Sequence, residues 1–158
     1  MGALPLLPSV IMKRISLLLA PLLAVAAFFA FGPSSSAAGF PKGSPSFKTD
    51  YNSALKASKA SGKPMLVVFS ATWCAPCQAN KKKVYPSPSV KAYHDKFIWV
   101  YLDTDKKENT KVVQMFKVSG IPHIQFVSAG GKSIDKVVGG TTPSKFAKKL
   151  GQVLEKMR

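Results

Sequence analysis

The hydrophobic residues of this chain form short continuous runs that alternate with stripes of helical spacing. Residues 65–71 and 97–102 are apolar, β-branched and aromatic runs, typical of strands that are buried on both faces. Residues 121–128 and 133–138 lie on either side of a turn at 129–132 and predict an antiparallel hairpin. The pattern therefore predicts four strands, the last two of which pair directly.

Five predicted helices lie before, between and after these strands. The first is capped by Thr49 or Asp50 and stopped by Gly62, and the last begins at Thr142 and Pro143. Strands separated by helices need crossover connections and hence pair in parallel, whereas the hairpin is antiparallel. The expected fold class is α/β, with a central mixed sheet flanked by helices on both faces. The three other predicted helices cover residues 78–85, 89–96 and 109–117.

The first 38 residues have the pattern of an export signal. Lys13 and Arg14 precede an uncharged apolar segment at 15–31, and small residues follow at 34–38, which predicts a signal peptide cleaved near residue 38 with Met12 as a possible true start. An uncleaved membrane anchor is the alternative, since the apolar segment is just long enough to span a bilayer. Either way the sequence predicts export, with a periplasmic location.

The remaining sequence divides into residues 39–48, read as a linker or N-terminal arm, and residues 49–158, a single domain. Without Lys13 and Arg14, 21 basic residues stand against 7 acidic ones, a net charge of +14. No helix-turn-helix, zinc-finger or aromatic RNA-binding pattern accompanies this charge, so no nucleic-acid partner is expected. Solvated basic helix faces are the simplest explanation, and attraction to anionic lipid headgroups or acidic proteins stays open.

Cys74 and Cys77 are the only cysteines, and they lie where a predicted buried strand passes into a helix. A bridge across so short a loop contributes only about 2 kcal/mol in the chain-entropy model, which makes it a poor structural staple. At a helix N-terminus the thiolate of Cys74 is favoured, and the thiolate is the attacking form. The spacing thus predicts disulfide exchange, with Cys74 as nucleophile and Cys77 as resolving thiol.

Metal binding is the main alternative for this pair. His94 and His123 lack zinc-finger spacing from the cysteines, so no zinc site is expected. A linear Cu(I) site needs only two soft thiolates and stays open. Trp73, which can flank the sulfur, and Pro76, which suits an early helix position, add nothing to metal ligation.

Three motifs together resemble the thioredoxin family over residues 48–157. They are Trp73-Cys74-Ala75-Pro76-Cys77 after an apolar strand, Gly120-Ile121-Pro122 before the hairpin, and Val138-Gly139-Gly140 after it. Within the family, residues 84–90 and 103–105 resemble exported thioredoxin-like proteins and the C-terminal domain of the membrane reductase DsbD.

The resemblance implies a thioredoxin fold and a role for each residue of the site. Trp73, Ala75 and Pro76 support the cysteines, Pro122 is cis, and Ile121 and Gly139 bind an extended substrate segment. The redox-active Cys74–Cys77 disulfide serves in place of a cofactor.

Two positions depart from the family pattern. Val68 stands where thioredoxin has a buried acidic residue that helps to move protons. His123 follows Pro122 where thioredoxin commonly has Thr, and it either tunes a thiolate as a partly protonated imidazole or packs along the strand. The direction of electron flow is left open by these departures.

The expected function is an exported thiol-disulfide oxidoreductase that reduces substrate disulfides. Ala75, Pro76 and Ile121 resemble reducing members of the family more than oxidising ones. Its implied partners are disulfide-containing proteins, a DsbD-type membrane electron donor and cytochrome c maturation factors. The alternatives are a disulfide oxidase or isomerase, and a Cu(I)-binding or adaptor module.

Overall fold

The computed structural model describes residues 39–158. The predicted signal segment, residues 1–38, lies outside the described residues. Five strands form one sheet in the order β1-β3-β2-β4-β5. The strands are β1 (Phe47–Lys48), β2 (Met65–Ser70), β3 (Ile98–Asp103), β4 (His123–Val127) and β5 (Ser133–Val138).

The pairing of the strands confirms the mixed sheet. β3 runs parallel to both β1 and β2, β4 runs antiparallel to β2, and β5 runs antiparallel to β4. This is the arrangement that crossover helices followed by a hairpin require. Among residues 39–158, none of the helices is long and apolar enough to cross a membrane.

The helices are connected by several shorter turns. A π-helical turn at Asn80–Val84 continues the second helix, and 3-10 turns occupy His94–Lys96 and Lys107–Asn109. The α-helices are α1 (Tyr51–Ser61), α2 (Ala75–Ala79), α3 (Pro88–Lys91), α4 (Thr110–Met115) and α5 (Pro143–Glu155).

Helix ends follow the predicted capping chemistry. Asp50 Oδ1 accepts a hydrogen bond from the backbone N–H of Ser53 at 2.7 Å, and Thr142 caps α5 in the same way. Gly62 closes α1 in the left-handed conformation, with φ of 70°, which glycine adopts without steric cost.

Hydrophobic clusters cover both faces of the sheet, as predicted. On one face, Leu66 and Val68 of β2 pack with the π-helical turn, α3 and α5. On the opposite face, Met65, Val67 and Phe69 pack with α1 and α4. Alternate residues of β2 therefore face opposite layers, as the pleat of a strand requires.

The N-terminal arm and the middle helices differ from the predictions. Residues 39–48 were expected to be irregular, but Phe47 and Lys48 form β1, because the Phe47 ring is buried between Phe40 and Trp99. The helix predicted at 78–85 starts earlier and changes to π-helical geometry after Ala79. The helix predicted at 89–96 is divided into α3 and a 3-10 turn.

Candidate active site

The two cysteines lie at the junction of β2 and α2, where the sequence pattern puts them. Cys74 is the N-cap of α2, and a disulfide joins it to Cys77 with the Cα atoms 5.2 Å apart. The backbone N–H of Cys77 points at Cys74 Sγ, with N and S 3.3 Å apart. In the reduced protein, this N–H and the start of the helix favour a thiolate on Cys74.

Burial distinguishes the two sulfur positions only slightly. Cys74 is 4% exposed and Cys77 is 1% exposed. Both pack with Ala71, and the half-buried Ile121 lies against the same cluster. The order of exposure agrees with an attack by Cys74 and a resolving role for Cys77, and these roles stay predictions.

Two further chain segments complete the site. The Ile121–Pro122 peptide bond is cis, as the resemblance implies, and Pro122 is buried. The backbone N–H of Gly139 donates to the carbonyl of Pro122 at 2.8 Å, which ties the loop after β5 to the proline. A Cβ atom added to Gly140 would lie 3.6 Å from Pro76 Cβ, so this loop passes close to the cysteine turn.

Trp73 gives the site an exposed aromatic surface. Its side chain is 70% exposed, although its indole N–H donates to Asp105 Oδ2 at 2.9 Å. Asp105 is itself held by a turn in which Asp103 Oδ1 accepts from the Asp105 backbone N–H. The ring therefore has a fixed orientation while its apolar surface stays open to a partner.

His123 is buried, and its ring contacts Phe69 and Gln125. It lies opposite Phe69 on the sheet face that α1 and α4 cover, and its ring meets the Phe69 ring edge-on. Its polar partner is the side chain of Gln125, with Nε2 and Oε1 3.2 Å apart. Burial lowers the pKa of His123, so the imidazole is neutral at pH 7, which favours packing over tuning.

Val68, which stands where thioredoxin has a buried acidic residue, has apolar surroundings. Val68 is 1% exposed and belongs to the core cluster under the active-site helix. Its neighbour on β3 is Tyr101, whose hydroxyl shares a hydrogen bond with Ser70. Burial raises the pKa of Tyr101, so this phenol keeps its proton at neutral pH.

Three site residues were missed by the sequence analysis. Gln78 Nε2 donates to the carbonyl of Ala71 at 3.0 Å, across the cysteine turn. Asp105 orients Trp73 through the indole N–H, a contact that the sequence analysis did not predict. Asn80 accepts a hydrogen bond from the Thr141 backbone N–H at 3.2 Å. The sequence signal that could have identified Asn80 is its position as a polar residue three places after Cys77 in the predicted helix.

The described residues contain no cluster of three or more His, Cys, Asp or Glu side chains that could hold a metal ion. His94, the other histidine, is bound through Nε2 to the carbonyl of Tyr85 at 2.9 Å. Two thiolates alone can hold Cu(I), so the copper alternative remains a matter for titration of the reduced protein.

Comparisons with known proteins agree with this geometry. The sequence model of the thioredoxin-like family matches residues 46–129, more than half of the chain. The thiol:disulfide interchange protein DsbD of Pseudoalteromonas atlantica is 30% identical over 134 residues, which cover 78% of this chain and 23% of that protein. The chain thus spans about a quarter of that relative's length.

Solved structures have the same fold. A thioredoxin from Thermus thermophilus superposes with a TM-score of 0.62 at 26% identity, covering 68% of this chain and 86% of the other. A DsbH oxidoreductase gives a TM-score of 0.60 at 22% identity, covering 74% and 90%. With the family match and the cysteine pair in place at the start of α2, the chain belongs to the thioredoxin-like family.

Proposed function

We propose that this protein is an exported thiol-disulfide oxidoreductase that reduces disulfide bonds in other proteins. The observation that carries the proposal is the Cys74–Cys77 disulfide at the start of α2, beside Pro122 and the exposed ring of Trp73. A buried pair with a flat apolar rim can receive an extended chain that carries a disulfide. A structural staple would need no such open surface.

The reaction proceeds by two exchanges from the reduced protein. The Cys74 thiolate attacks one sulfur of the substrate disulfide, a mixed disulfide forms, and the other substrate sulfur leaves as a thiolate that takes a proton from water. The Cys77 thiol then passes its proton to water and attacks Cys74 Sγ, so that the bond between Cys74 and the substrate sulfur breaks and the departing sulfur takes up a proton. This step releases the second substrate thiol and forms the intramolecular disulfide. Two electrons have moved from the protein to the substrate.

The protonation state of His123 supports the expected direction of electron flow, from this protein to its substrate. A protonated imidazole close to Cys74 would stabilise the thiolate and raise oxidising power. His123 is instead buried against Phe69 and bound to Gln125, and burial lowers its pKa, so it is mainly neutral at pH 7. Without such a cation, the pair is expected to have a potential near that of thioredoxin.

An exported reductant must receive electrons from a donor dithiol after each turnover. A DsbD-type membrane donor fits this need, and the 30% identity with DsbD supports a partner from the same exchange chemistry. Oxidised envelope proteins and cytochrome c maturation factors are the proposed clients. The export signal expected in residues 1–38 supports a periplasmic location.

The test is the reduction potential together with insulin reduction. A potential near about −270 mV with rapid insulin reduction supports the reductase, whereas a value near about −120 mV points to an oxidase. Titration of the reduced protein with Cu(I) against a competing chelator should be run beside it. Tight stoichiometric copper binding with negligible disulfide reduction would overturn the proposal.

A further inference from the structure

Asn80 is a buried polar residue immediately behind the cysteine turn. It lies three residues after Cys77, at the start of the π-helical turn, and is 1% exposed. Its neighbours Val84 and Tyr85 belong to the hydrophobic cluster beneath the sheet. A position in such surroundings would ordinarily hold an apolar side chain.

The side chain of Asn80 fastens a loop that belongs to the site. Its Oδ1 accepts a hydrogen bond from the backbone N–H of Thr141, 61 residues along the chain, at 3.2 Å. Two residues earlier, the N–H of Gly139 donates to the Pro122 carbonyl at 2.8 Å. The segment 139–141 is thus held at one end by the cis-proline segment and at the other by the active-site helix.

Only the oxygen of the Asn80 side-chain amide makes a well-formed hydrogen bond. Its Nδ2 is buried and makes no well-formed hydrogen bond within residues 39–158, and neither does the Tyr85 hydroxyl, although Asn80 lies near enough to lower the pKa of Tyr85 against the larger rise caused by burial. A buried donor with so poor a partner adds little to the stability of a fold, so the side chain is a poor choice for stability alone. What it does provide is a fixed acceptor for the 139–141 segment.

We propose that Asn80 is a positioning residue that sets the place of the 139–141 segment against the cysteine turn, and thereby the fit of peptide disulfides. The proposal rests on the proposed function. The backbone of Gly140 lies beside Pro76, since a Cβ on that glycine would be 3.6 Å from Pro76 Cβ. A small shift of Thr141 therefore changes the distance between the 139–141 segment and the cysteine turn, and the space between the two is the groove in which an extended substrate would lie.

The expected effect depends on the size of the disulfide. In the proposed reaction a peptide disulfide lies in this groove, along the 139–141 segment, so its approach to Cys74 depends on where that segment lies. A small aromatic disulfide such as 5,5′-dithiobis(2-nitrobenzoate) reaches Cys74 without filling the groove. Loss of the Asn80 acceptor should therefore slow the first reaction and spare the second.

The test compares Asn80→Ala with Ser58→Ala in the full-length reduced protein. Ser58 is also a buried polar residue, and its hydroxyl donates to the Lys63 carbonyl just before β2 begins, at the other end of that strand from the cysteines. Single-turnover rates are measured with a peptide disulfide and with the small disulfide. In Asn80→Ala the peptide rate should fall about tenfold, as for a misplaced binding segment, with the small-disulfide rate unchanged. Ser58→Ala should change neither rate.

Amide hydrogen exchange supplies a readout that does not depend on activity. The N–H of Thr141 should exchange faster in Asn80→Ala, while Ser58→Ala leaves it protected. If Asn80→Ala does not fold, Thr141→Pro removes the donor of the same hydrogen bond and should give the same selective loss.

Several outcomes would overturn the assignment. If Asn80→Ala reacts more slowly with both the peptide disulfide and the small disulfide, to the same extent, Asn80 acts through the cysteines. If its rate with the peptide disulfide is unchanged, the 139–141 segment keeps its position without Asn80. A failure of the proposed reductase function looks different. In that case the wild-type potential lies near the oxidase end, while the selective effect of Asn80→Ala on peptide disulfides persists.

Discussion

Replacing His123 by leucine tests whether this imidazole tunes the cysteines or only packs the sheet. The amide nitrogen of Gln125 faces the carbonyl oxygens of Phe126 and Asp135, which can only accept. Gln125 Oε1 is therefore the atom that faces His123 Nε2, and the histidine must donate from Nε2. The buried ring is a neutral hydrogen-bond donor in this arrangement.

The size of the effect on stability follows from that single bond. His123→Leu leaves Gln125 Oε1 buried without a donor, which costs about 1–3 kcal/mol. For a domain of this size each kcal/mol lowers the melting temperature by about 4 °C. The oxidised variant should therefore melt roughly 4–12 °C below the wild type.

The pH dependence of stability has a defined sign. Burial lowers the pKa of His123 below its unfolded value of about 6.5. The unfolded chain then binds more protons than the folded one below about pH 6.5, so the wild type loses stability as the pH falls through that range. His123→Leu should lose less between about pH 7.5 and pH 5.5. His94 stays in both proteins, and burial also lowers its pKa, so part of the slope remains.

The assay that decides the role of His123 is the reduction potential of Cys74–Cys77. A packing residue leaves the potential unchanged within about 10 mV, because no charge near the thiolate is lost. A tuning imidazolium would stabilise the reduced form, so its removal would make the potential more negative. A fall of about 30 mV or more, equivalent to about 1.4 kcal/mol, would refute the reasoning.

Three other substitutions have definite expected results. Asp105→Ala removes the hydrogen-bond acceptor of the Trp73 indole and should slow insulin reduction about two- to fivefold. The loss of stability should be small, since an exposed hydrogen bond contributes about 1 kcal/mol, and a large fall in melting temperature would contradict this. Tyr85→Phe removes a buried hydroxyl that makes no well-formed hydrogen bond in the described part of the chain and only approaches the Asn80 amide. It should raise the free energy of unfolding in urea by up to about 1 kcal/mol, whereas a decrease would show that the contact with Asn80 is a genuine hydrogen bond. Phe146→Ala empties a fully buried site and should lower the same free energy by about 3–5 kcal/mol; a loss below about 1 kcal/mol would show that the core collapses around it.

The strands and the longer helices could be predicted because their residues carry the pattern locally. β2 is buried at every position and apolar at all but Ser70, since helices cover both of its sides, and Asp50, Gly62 and Thr142 signal the helix ends directly. β1 was missed because two residues are too few to show alternation. Its formation depends on the Phe47 ring packing against Trp99, a contact that no local pattern contains.

The same difference between local patterns and distant contacts explains which residues of the site could be predicted from the sequence. The cysteines and Pro122 belong to short motifs whose geometry is set by neighbouring residues. Asp105 and Asn80 act through hydrogen bonds to residues 32 and 61 positions away, and such pairs become visible only once the sheet brings the loops together. The side on which His123 lies likewise depends on the register of β4 against β2.

The most direct test of disulfide exchange is to trap its intermediate. Reduced Cys77→Ala protein, mixed with a disulfide substrate, should accumulate a mixed disulfide that mass spectrometry locates on Cys74, because the resolving thiol is absent. Cys74→Ala should form no such adduct and should lose insulin reduction. Full insulin-reducing activity in Cys74→Ala, or an adduct on another residue, would contradict the account.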